Sequence, residues 1–199
     1  MNYEASSLPG WFCSYLMMAE DFWETKKSVI MHGANYRVGN GQPYTRKKYI
    51  KGKPQIKIAK FYGGKKDGDY DFCVQLCSQQ KMQIRHMAIE SARLSANKAI
   101  ETVTGETGYY STLRVYPHIL LRENKMIATA GADRLSEGMR GAFGKAVSLA
   151  ARIEIGQVIM EAHVKKEHLE AAKKALHGAS VKLPCTPMLK VIPLKPALA

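Results

Sequence analysis

Residues 71–104, DFCVQLCSQQKMQIRHMAIESARLSANKAIETVT, contain two apolar periodicities, one typical of a strand and the other of a helix. Phe72, Val74 and Leu76 alternate with other residues, which predicts a strand over about 70–78. Over 84–104 the apolar period lengthens to that of a helix, and Gly105 follows as a stop signal. A strand followed by a helix that can lie on a sheet is the unit from which we infer the fold class.

The predicted helix has two different faces. One is a line of small or branched apolar residues at helical spacing: Ile84, Ala88, Ala92, Ala96, Ala99 and Val103. The other face carries polar and basic residues: Arg85, His86, Arg93 and Lys98. We expect the first face to be buried against a sheet and the second to be exposed.

The rest of the chain predicts further strands and one more helix. Alternation predicts strands over 109–116, with 119–121 continuing after Pro117, over 152–164 and over 188–194. The apolar parity of 152–164 flips at Gly156, which predicts a bulge or a tight turn there. Residues 165–178 form an amphipathic helix pattern that Gly178 ends, and the glycine-rich stretch 125–148 predicts a long loop. This order suggests an α+β fold, a mostly antiparallel, barrel-like or hammerhead-like sheet with two packed helices.

Charge is the unusual feature of the composition. The 199 residues include 30 Lys and Arg against 17 Asp and Glu, a formal net charge of +13 at pH 7. Residues 31–66 hold ten of these cations and no acid, with glycines and prolines that break helices. We expect an extended basic arm that a polyanion orders, the alternative being a solvated loop. Nucleic acid is the first partner to consider and an anionic membrane surface the second.

The first thirty residues differ from the remainder. They carry four acids against two lysines, and both tryptophans, Trp11 and Trp23. No Lys or Arg precedes the apolar stretch 8–19, which is unlike a signal peptide. Residues 1–30 are therefore interpreted as lying outside a main domain of 31–199: a genuine extension, a short docked helix, or a stretch read from too early a start. No run of 18 apolar residues predicts a membrane span.

Neither a metal site nor a catalytic site is predicted from spacing. Cys73 and Cys77 do not have the spacing of zinc ligands, and four cysteines without a dense framework suggest a reducing, cytoplasmic compartment. The segment around Gly144 and Lys145 lacks the spacing and the Ser/Thr of a phosphate-binding loop. His163 and His168 are five residues apart rather than the four that a zinc protease helix needs. We therefore expect no enzyme, no cofactor and no metal.

One block of sequence is far more specific. RENKM (122–126), AGADRL (130–135) and GMRGAFGK (138–145) follow one another closely. Matches in the same order are YR (36–37), PYTR (43–46), QIRH (83–86), YPH (116–118), GQ (156–157) and KEHL (166–169). Together they resemble the archaeal and eukaryotic QM family of large-subunit ribosomal proteins, called L-ten-e, whose bacterial counterpart is L-sixteen. The resemblance covers about 35–199 and looks archaeal.

The resemblance implies a structural protein of the large ribosomal subunit. It implies binding to rRNA near the tRNA elbow and the peptidyl-transferase region, with support for tRNA accommodation and subunit assembly. Its partners would be rRNA, tRNA and neighbouring ribosomal proteins, with one copy of the chain in a cytoplasmic ribosome. The loop that it places towards tRNA includes Gly131, Asp133, Arg134, Gly138, Met139, Arg140, Gly141, Phe143 and Lys145.

The residues themselves point to RNA by a weaker route. Lys and Arg neutralise phosphates, Arg also binds them bidentately, and Tyr and His rings stack on unpaired bases. These grounds, together with the motifs that carry the resemblance, give the candidate RNA-binding residues: Tyr36, Arg37, Tyr44, Arg46, Lys47, Lys48, Arg85, His86, Arg93, His118, Arg122, Asn124 and Lys125. His118 could equally be a core histidine. The alternative function is a free-standing RNA-binding or ribosome-assembly factor of the same fold.

Overall fold

Eight strands and two α-helices are found in residues 33–39, 41–124 and 141–194, the part of the chain that this computed structural model describes. In chain order they are β1 (Tyr62–Gly64), β2 (Phe72–Ser78), β3 (Met82–Arg85), α1 (His86–Thr104), β4 (Tyr109–Leu113), β5 (Ile119–Glu123), β6 (Lys145–Ile153), β7 (Val158–Val164), α2 (Leu169–Ser180) and β8 (Pro187–Pro193). Short 3₁₀ turns occupy Gly33–Tyr36, Lys47–Tyr49 and Lys166–His168.

Five strands form the larger sheet, in the order β1-β4-β7-β2-β8, and every neighbouring pair is antiparallel. Side chains alternate between its two faces. Val74 and Leu76 of β2 point to the same side as Ala162 and Met160, their partners on β7, and all four are buried in the core. The opposite face, which carries Cys73, Glu161 and His163, is more polar.

Both helices pack on the apolar face of the larger sheet and on each other. Helix α1 contributes Ile89 and Ile100 to the core and α2 contributes Leu176, all fully buried. Full burial of each such side chain contributes about 1.5–3 kcal/mol. This layer of helix on sheet is therefore the main source of stability.

The other three strands form a second antiparallel sheet in the order β3-β6-β5. Ile84 and Ile153 belong to the shared core, and they join this sheet to α1. Gly156, with φ +78°, lies in the turn that takes the chain from β6 to β7, and hence from one sheet to the other. The two sheets are separate and open, so the expectation of a barrel is wrong. The α+β class with mostly antiparallel strands and two helices is confirmed.

The start of the first helix is two residues later than predicted. Ile84 is a fully buried strand residue of β3, opposite Ala151 of β6, and α1 begins at His86. An apolar residue at 84 fits both the alternation of a strand and the line of the helix. Pairing with β6, which is distant in sequence, settles the choice for the strand.

The predicted faces of this helix are also partly wrong. Ala92 and Ala96 are buried as expected, but Ala99 is exposed and Val103 is 57% exposed. The larger Ile89 and Ile100 occupy the core instead, because they remove more apolar surface from water than alanines do. This rotation turns His86 and Arg93 inward, and they are 2% and 8% exposed.

Three predicted strand boundaries need correction. The strand predicted over 109–116 ends at Leu113, and residues 119–121 do not continue it but belong to β5 in the other sheet. The strand predicted over 152–164 is two strands in different sheets, which explains the parity flip at Gly156. The end of the predicted loop 125–148 is the start of β6, and residues 125–140 lie outside the described part. The strands predicted over 70–78 and 188–194 are confirmed within two residues.

Candidate nucleic-acid interface

Two stretches of main chain, residues 37–39 and 41–44, lie along the smaller sheet from one edge to the other. At the β3 edge the amide of Gln83 donates to the carbonyl of Arg37 over 2.7 Å. At the β5 edge the amide of Leu120 donates to the carbonyl of Tyr44 over 3.0 Å. We call residues 37–39 and 41–44 together the crossing segment. It holds the start of the basic run against the smaller sheet.

The crossing segment passes very close to the middle strand. A Cβ atom at Gly39 would lie 2.8 Å from Nε of Arg152 on β6, closer than side-chain carbons approach other atoms. Arg152 donates from Nη1 to the carbonyl of Gly41 over 3.0 Å, and the Gln83 amide group donates to the carbonyl of Val38 over 3.1 Å. A side chain at position 39 would therefore force the ends of the Arg152 and Gln83 side chains to move.

Arg122 of β5 lies between two aromatic rings. Its guanidinium carbon is 4.6 Å from the centroid of Tyr44 and 3.4 Å from that of Phe143, and the two rings meet edge to face at 5.7 Å. Nη1 of Arg122 also donates to the carbonyl of Phe143 over 3.1 Å. This cluster joins the crossing segment to residues 141–144, and Phe143 stays 65% exposed. We call Tyr44, Arg122 and Phe143 the arginine–aromatic cluster.

A second cation–aromatic contact lies at the ends of β3 and β5. The Tyr36 hydroxyl donates to Oε2 of Glu123 over 3.2 Å, and the guanidinium of Arg85 is 5.9 Å from the Tyr36 ring. Burial, with a further contribution from the Glu123 carboxylate, raises the pKa of Tyr36. The phenol is therefore protonated at neutral pH and can donate this hydrogen bond to the carboxylate.

A shallow cavity of about 310 Å³ opens beside Tyr116. Leu120 and Leu149, which pair across β5 and β6, line it together with Ile56. Tyr116 is 51% exposed and stacks on Phe61, and the Lys47 ammonium lies 5.3 Å above its ring. An exposed aromatic ring beside an apolar cavity and a cation is the arrangement on which an unpaired base can stack.

The run of 41–66 surrounds these contacts with positive charge. It contains nine Lys and Arg residues and no acid. Eight of them are exposed, and Lys47 is half-buried: Arg46, Lys47, Lys48, Lys51, Lys53, Lys57, Lys60, Lys65 and Lys66. Within the described part of the chain, none of them forms an ion pair with an acid. The main chain of this run is nevertheless anchored, since Ile58 is buried in the core and β1 pairs with β4.

Comparisons with known proteins show the family of this chain. The model of the family described as ribosomal protein L16p/L10e matches residues 27–189. The chain belongs to the L16p/L10e family. The large ribosomal subunit protein uL16 of Hyperthermus butylicus is 53% identical over 156 residues, which cover 78% of this chain and 87% of that protein.

Two further archaeal relatives give the same result. The uL16 protein of Staphylothermus marinus is 52% identical over 159 residues, 80% of this chain and 91% of the relative. That of Metallosphaera sedula is 53% identical over 165 residues, 82% and 94% of the two chains. The resemblance inferred from the sequence is confirmed.

Most of the candidate RNA-binding residues of this L16p/L10e protein lie around the smaller sheet. Arg37, Arg46 and Lys48 are exposed. The half-buried ones are Tyr36, Tyr44, Lys47, Arg85, His118, Arg122 and Asn124. Among the loop residues, Phe143 and Lys145 are exposed and Gly141 is half-buried, whereas Lys125, Gly131, Asp133, Arg134, Gly138, Met139 and Arg140 lie outside the described residues.

His86 and Arg93 do not belong to an exposed surface. Arg93 donates from Nε and Nη2 to the two carboxylate oxygens of Glu90, over 2.9 and 2.6 Å, and this pairing makes its burial possible. The hydrogen bonds from Arg93 lower the pKa of Glu90. Burial, aided by the nearby charges of Lys57 and Arg85, lowers the pKa of His86. Both side chains are therefore buried in the helix layer and do not lie on the candidate interface.

Sequence reasoning missed several residues of this surface. Tyr116 was part of the YPH motif, but it was not among the candidates, and neither was Arg152. The sequence signal for Tyr116 was present, because an exposed aromatic residue next to proline at the end of a strand suits base stacking. The role of Arg152 had no such signal, since it depends on the close passage of Gly39.

Neither described helix has the length and apolar character that crossing a bilayer requires.

Proposed function

We propose that this chain is a structural constituent of the large ribosomal subunit and binds rRNA through the smaller sheet and its basic run. The chain is a ribosomal family protein and not an enzyme, and its curated relatives are large-subunit proteins. The single observation that carries the rRNA contact is the run of 41–66. Nine cations without an acid are held on an anchored main chain next to exposed aromatic rings.

The physical basis is electrostatic attraction combined with stacking. Each phosphate that a Lys or Arg neutralises releases condensed counterions, so affinity falls steeply as salt increases. The Tyr116 ring and the cavity beside it offer a stacking surface for an unpaired base. Anchoring of the main chain by Ile58 and β1 means that less conformational entropy is lost when RNA binds.

We further propose that the loop of about 127–146 forms the side of the protein that faces tRNA. The family resemblance supports this assignment. So does the described end of the loop, where Phe143 and Lys145 are exposed and Arg122 holds the main chain at Phe143. An exposed aromatic residue and a cation at a fixed position suit contact with a nucleic acid that enters and leaves.

Ribosome fractionation tests the proposal. An epitope-tagged chain produced in an archaeal host should migrate with large subunits and stay there through a high-salt wash. Migration with free RNA or with precursor particles only would contradict the proposal and support a separate assembly factor. A variant with Arg46→Ala and Lys48→Ala is expected to leave the subunit at lower salt than wild type. The matched variant with Lys173→Ala and Lys174→Ala, which alters exposed lysines of α2, is expected to behave as wild type.

A further inference from the structure

Three potential metal ligands meet on the polar face of the larger sheet, away from the smaller sheet. Cys73 of β2 pairs directly with His163 of β7, and Glu161 lies two residues before His163 on the same face. Their donor atoms all lie within 4.8 Å of one another, and Sγ of Cys73 is 4.0 Å from Nε2 of His163. None of the three residues belongs to the candidate nucleic-acid interface.

The distances are close to those of a zinc site. Zinc lies about 2.3 Å from sulfur and about 2.0–2.2 Å from nitrogen or oxygen, so tetrahedral donors are roughly 3.3–3.7 Å apart. Small side-chain shifts would bring the three donors to that spacing. A thiolate, an imidazole and a carboxylate also form a donor set that suits Zn²⁺, whereas Mg²⁺ and Ca²⁺ prefer oxygen alone.

Neighbouring side chains hold these ligands in position. The amide of Gln75 donates to Oε1 of Glu161 over 2.9 Å, and Nε of Arg114 lies 3.6 Å from Oε2. The rings of Tyr110 and Tyr70 lie 5.5 and 6.3 Å from the His163 ring. Such supporting contacts orient metal ligands and tune their affinity.

A buried hydroxyl on the same face provides an independent observation. Thr112 of β4 pairs directly with Glu161 and is 8% exposed. Its hydroxyl is buried and makes no hydrogen bond with any described residue. Buried polar groups of this kind are nearly always satisfied. A water molecule bound to a metal ion at this site would give the hydroxyl a partner.

We propose that Cys73, Glu161 and His163 bind one Zn²⁺ ion, with water as the fourth ligand. The proposal goes beyond ribosomal function and does not depend on it. Burial raises the pKa of the Cys73 thiol to about 11, so the thiol carries its proton at neutral pH. When the ion binds, this proton is released to solvent and the ion takes its place on sulfur. Coordination joins β2 to β7 and stabilises the centre of the sheet. Cys73 and His163 are 90 positions apart, which is why no ligand spacing is visible in the sequence.

Cobalt substitution tests the site on the full-length chain. One equivalent of Co²⁺ should produce a thiolate-to-cobalt charge-transfer band, and Zn²⁺ should displace it. Cys73→Ser should remove the band, while His163→Gln and Glu161→Gln should each weaken Zn²⁺ binding at least about tenfold. Loss of the supporting contact in Gln75→Leu should weaken it by about ten- to a hundredfold. Cys185→Ser removes a buried thiol that is not part of this cluster and should keep the band.

A count of the zinc ligands in the wild-type chain gives a test that does not depend on the folding of any variant. X-ray absorption of the zinc-loaded protein should show one sulfur ligand, with nitrogen or oxygen at the other positions. Zn²⁺ should also raise the melting temperature of the wild type and not that of Cys73→Ser. The proposal is overturned if the wild type gives no charge-transfer band, or if the spectrum shows no sulfur. It is also overturned if His163→Gln and Glu161→Gln bind Zn²⁺ as tightly as the wild type.

Discussion

The two sheets of this protein are stabilised in different ways. The larger sheet buries Val74, Leu76 and Met160 under two helices, and its packing is almost entirely apolar. The crossing segment covers one face of the smaller sheet. A cation–aromatic contact between Arg122 and Tyr44 holds the end of that segment. The contrast separates the layer that stabilises the fold from the layer that we propose binds RNA. We therefore expect substitutions to separate them.

The largest effect is expected in the helix layer. Ile100→Ala removes a fully buried side chain of α1, and the lost burial together with the cavity should lower the free energy of unfolding by about 2–5 kcal/mol. Urea unfolding followed by circular dichroism measures this loss. The folded variant should keep the salt dependence of rRNA binding seen in the wild type. A changed salt dependence would break the separation between the two layers.

A change in the basic run should have the opposite profile. Arg46→Ala with Lys48→Ala removes two exposed cations. The negative slope of log affinity against log salt should therefore become shallower by roughly 1.4–1.8. Filter binding to archaeal large-subunit rRNA over a salt series measures it, and the free energy of unfolding should hardly change. Lys173→Ala with Lys174→Ala is the charge-matched control. An equal fall in slope for that control would show that general charge, and not the basic run, determines binding.

The arginine–aromatic cluster should contribute a smaller amount of stability. Arg122→Ala removes two ring contacts and one hydrogen bond, which together are worth about 1–2 kcal/mol. Arg122→Lys keeps the charge but loses the planar stacking, so it should recover only part of this free energy. Chemical unfolding measures both. If Lys restores full stability, charge alone acts at this position.

The smallest effect is expected from His86. Its pKa is lowered in the folded state, so the unfolded chain binds more protons, and stability is lost as the pH falls below about 6.5 through the folded pKa. His86→Gln should therefore flatten the decline in stability between pH 7 and pH 5. Urea titrations at several pH values measure the slope, and Arg37→Ala serves as an exposed control. If the slope is unchanged in the variant, the pKa of His86 is not lowered in the folded state.

Local patterns in the sequence were sufficient for much of the fold. The alternation of Phe72, Val74 and Leu76 predicted β2, and the last strand and both helices were found because each has its own apolar period. The α+β class followed from their order. These features depend on near neighbours along the chain, which a single sequence contains.

Errors arose where distant contacts decide the outcome. Ile84 joined a strand because β6 pairs with it, and residues 119–121 changed sheets for the same reason. Arg93 turned inward with Glu90, three positions earlier, and that spacing alone could have suggested an ion pair. The motifs did identify most of the basic and aromatic residues around the smaller sheet. The crossing segment was not foreseeable, since main-chain carbonyls make its two edge contacts and no side-chain pattern reports them.

The crossing segment also has a consequence for the newly made chain. An open sheet presents unpaired main-chain groups at its outer strands, and these can recruit another chain and start aggregation. At the two outer strands of this sheet, the amides of Gln83 and Leu120 already donate hydrogen bonds to the carbonyls of Arg37 and Tyr44. These contacts leave fewer free main-chain groups at the two outer strands for another copy of the chain to pair with.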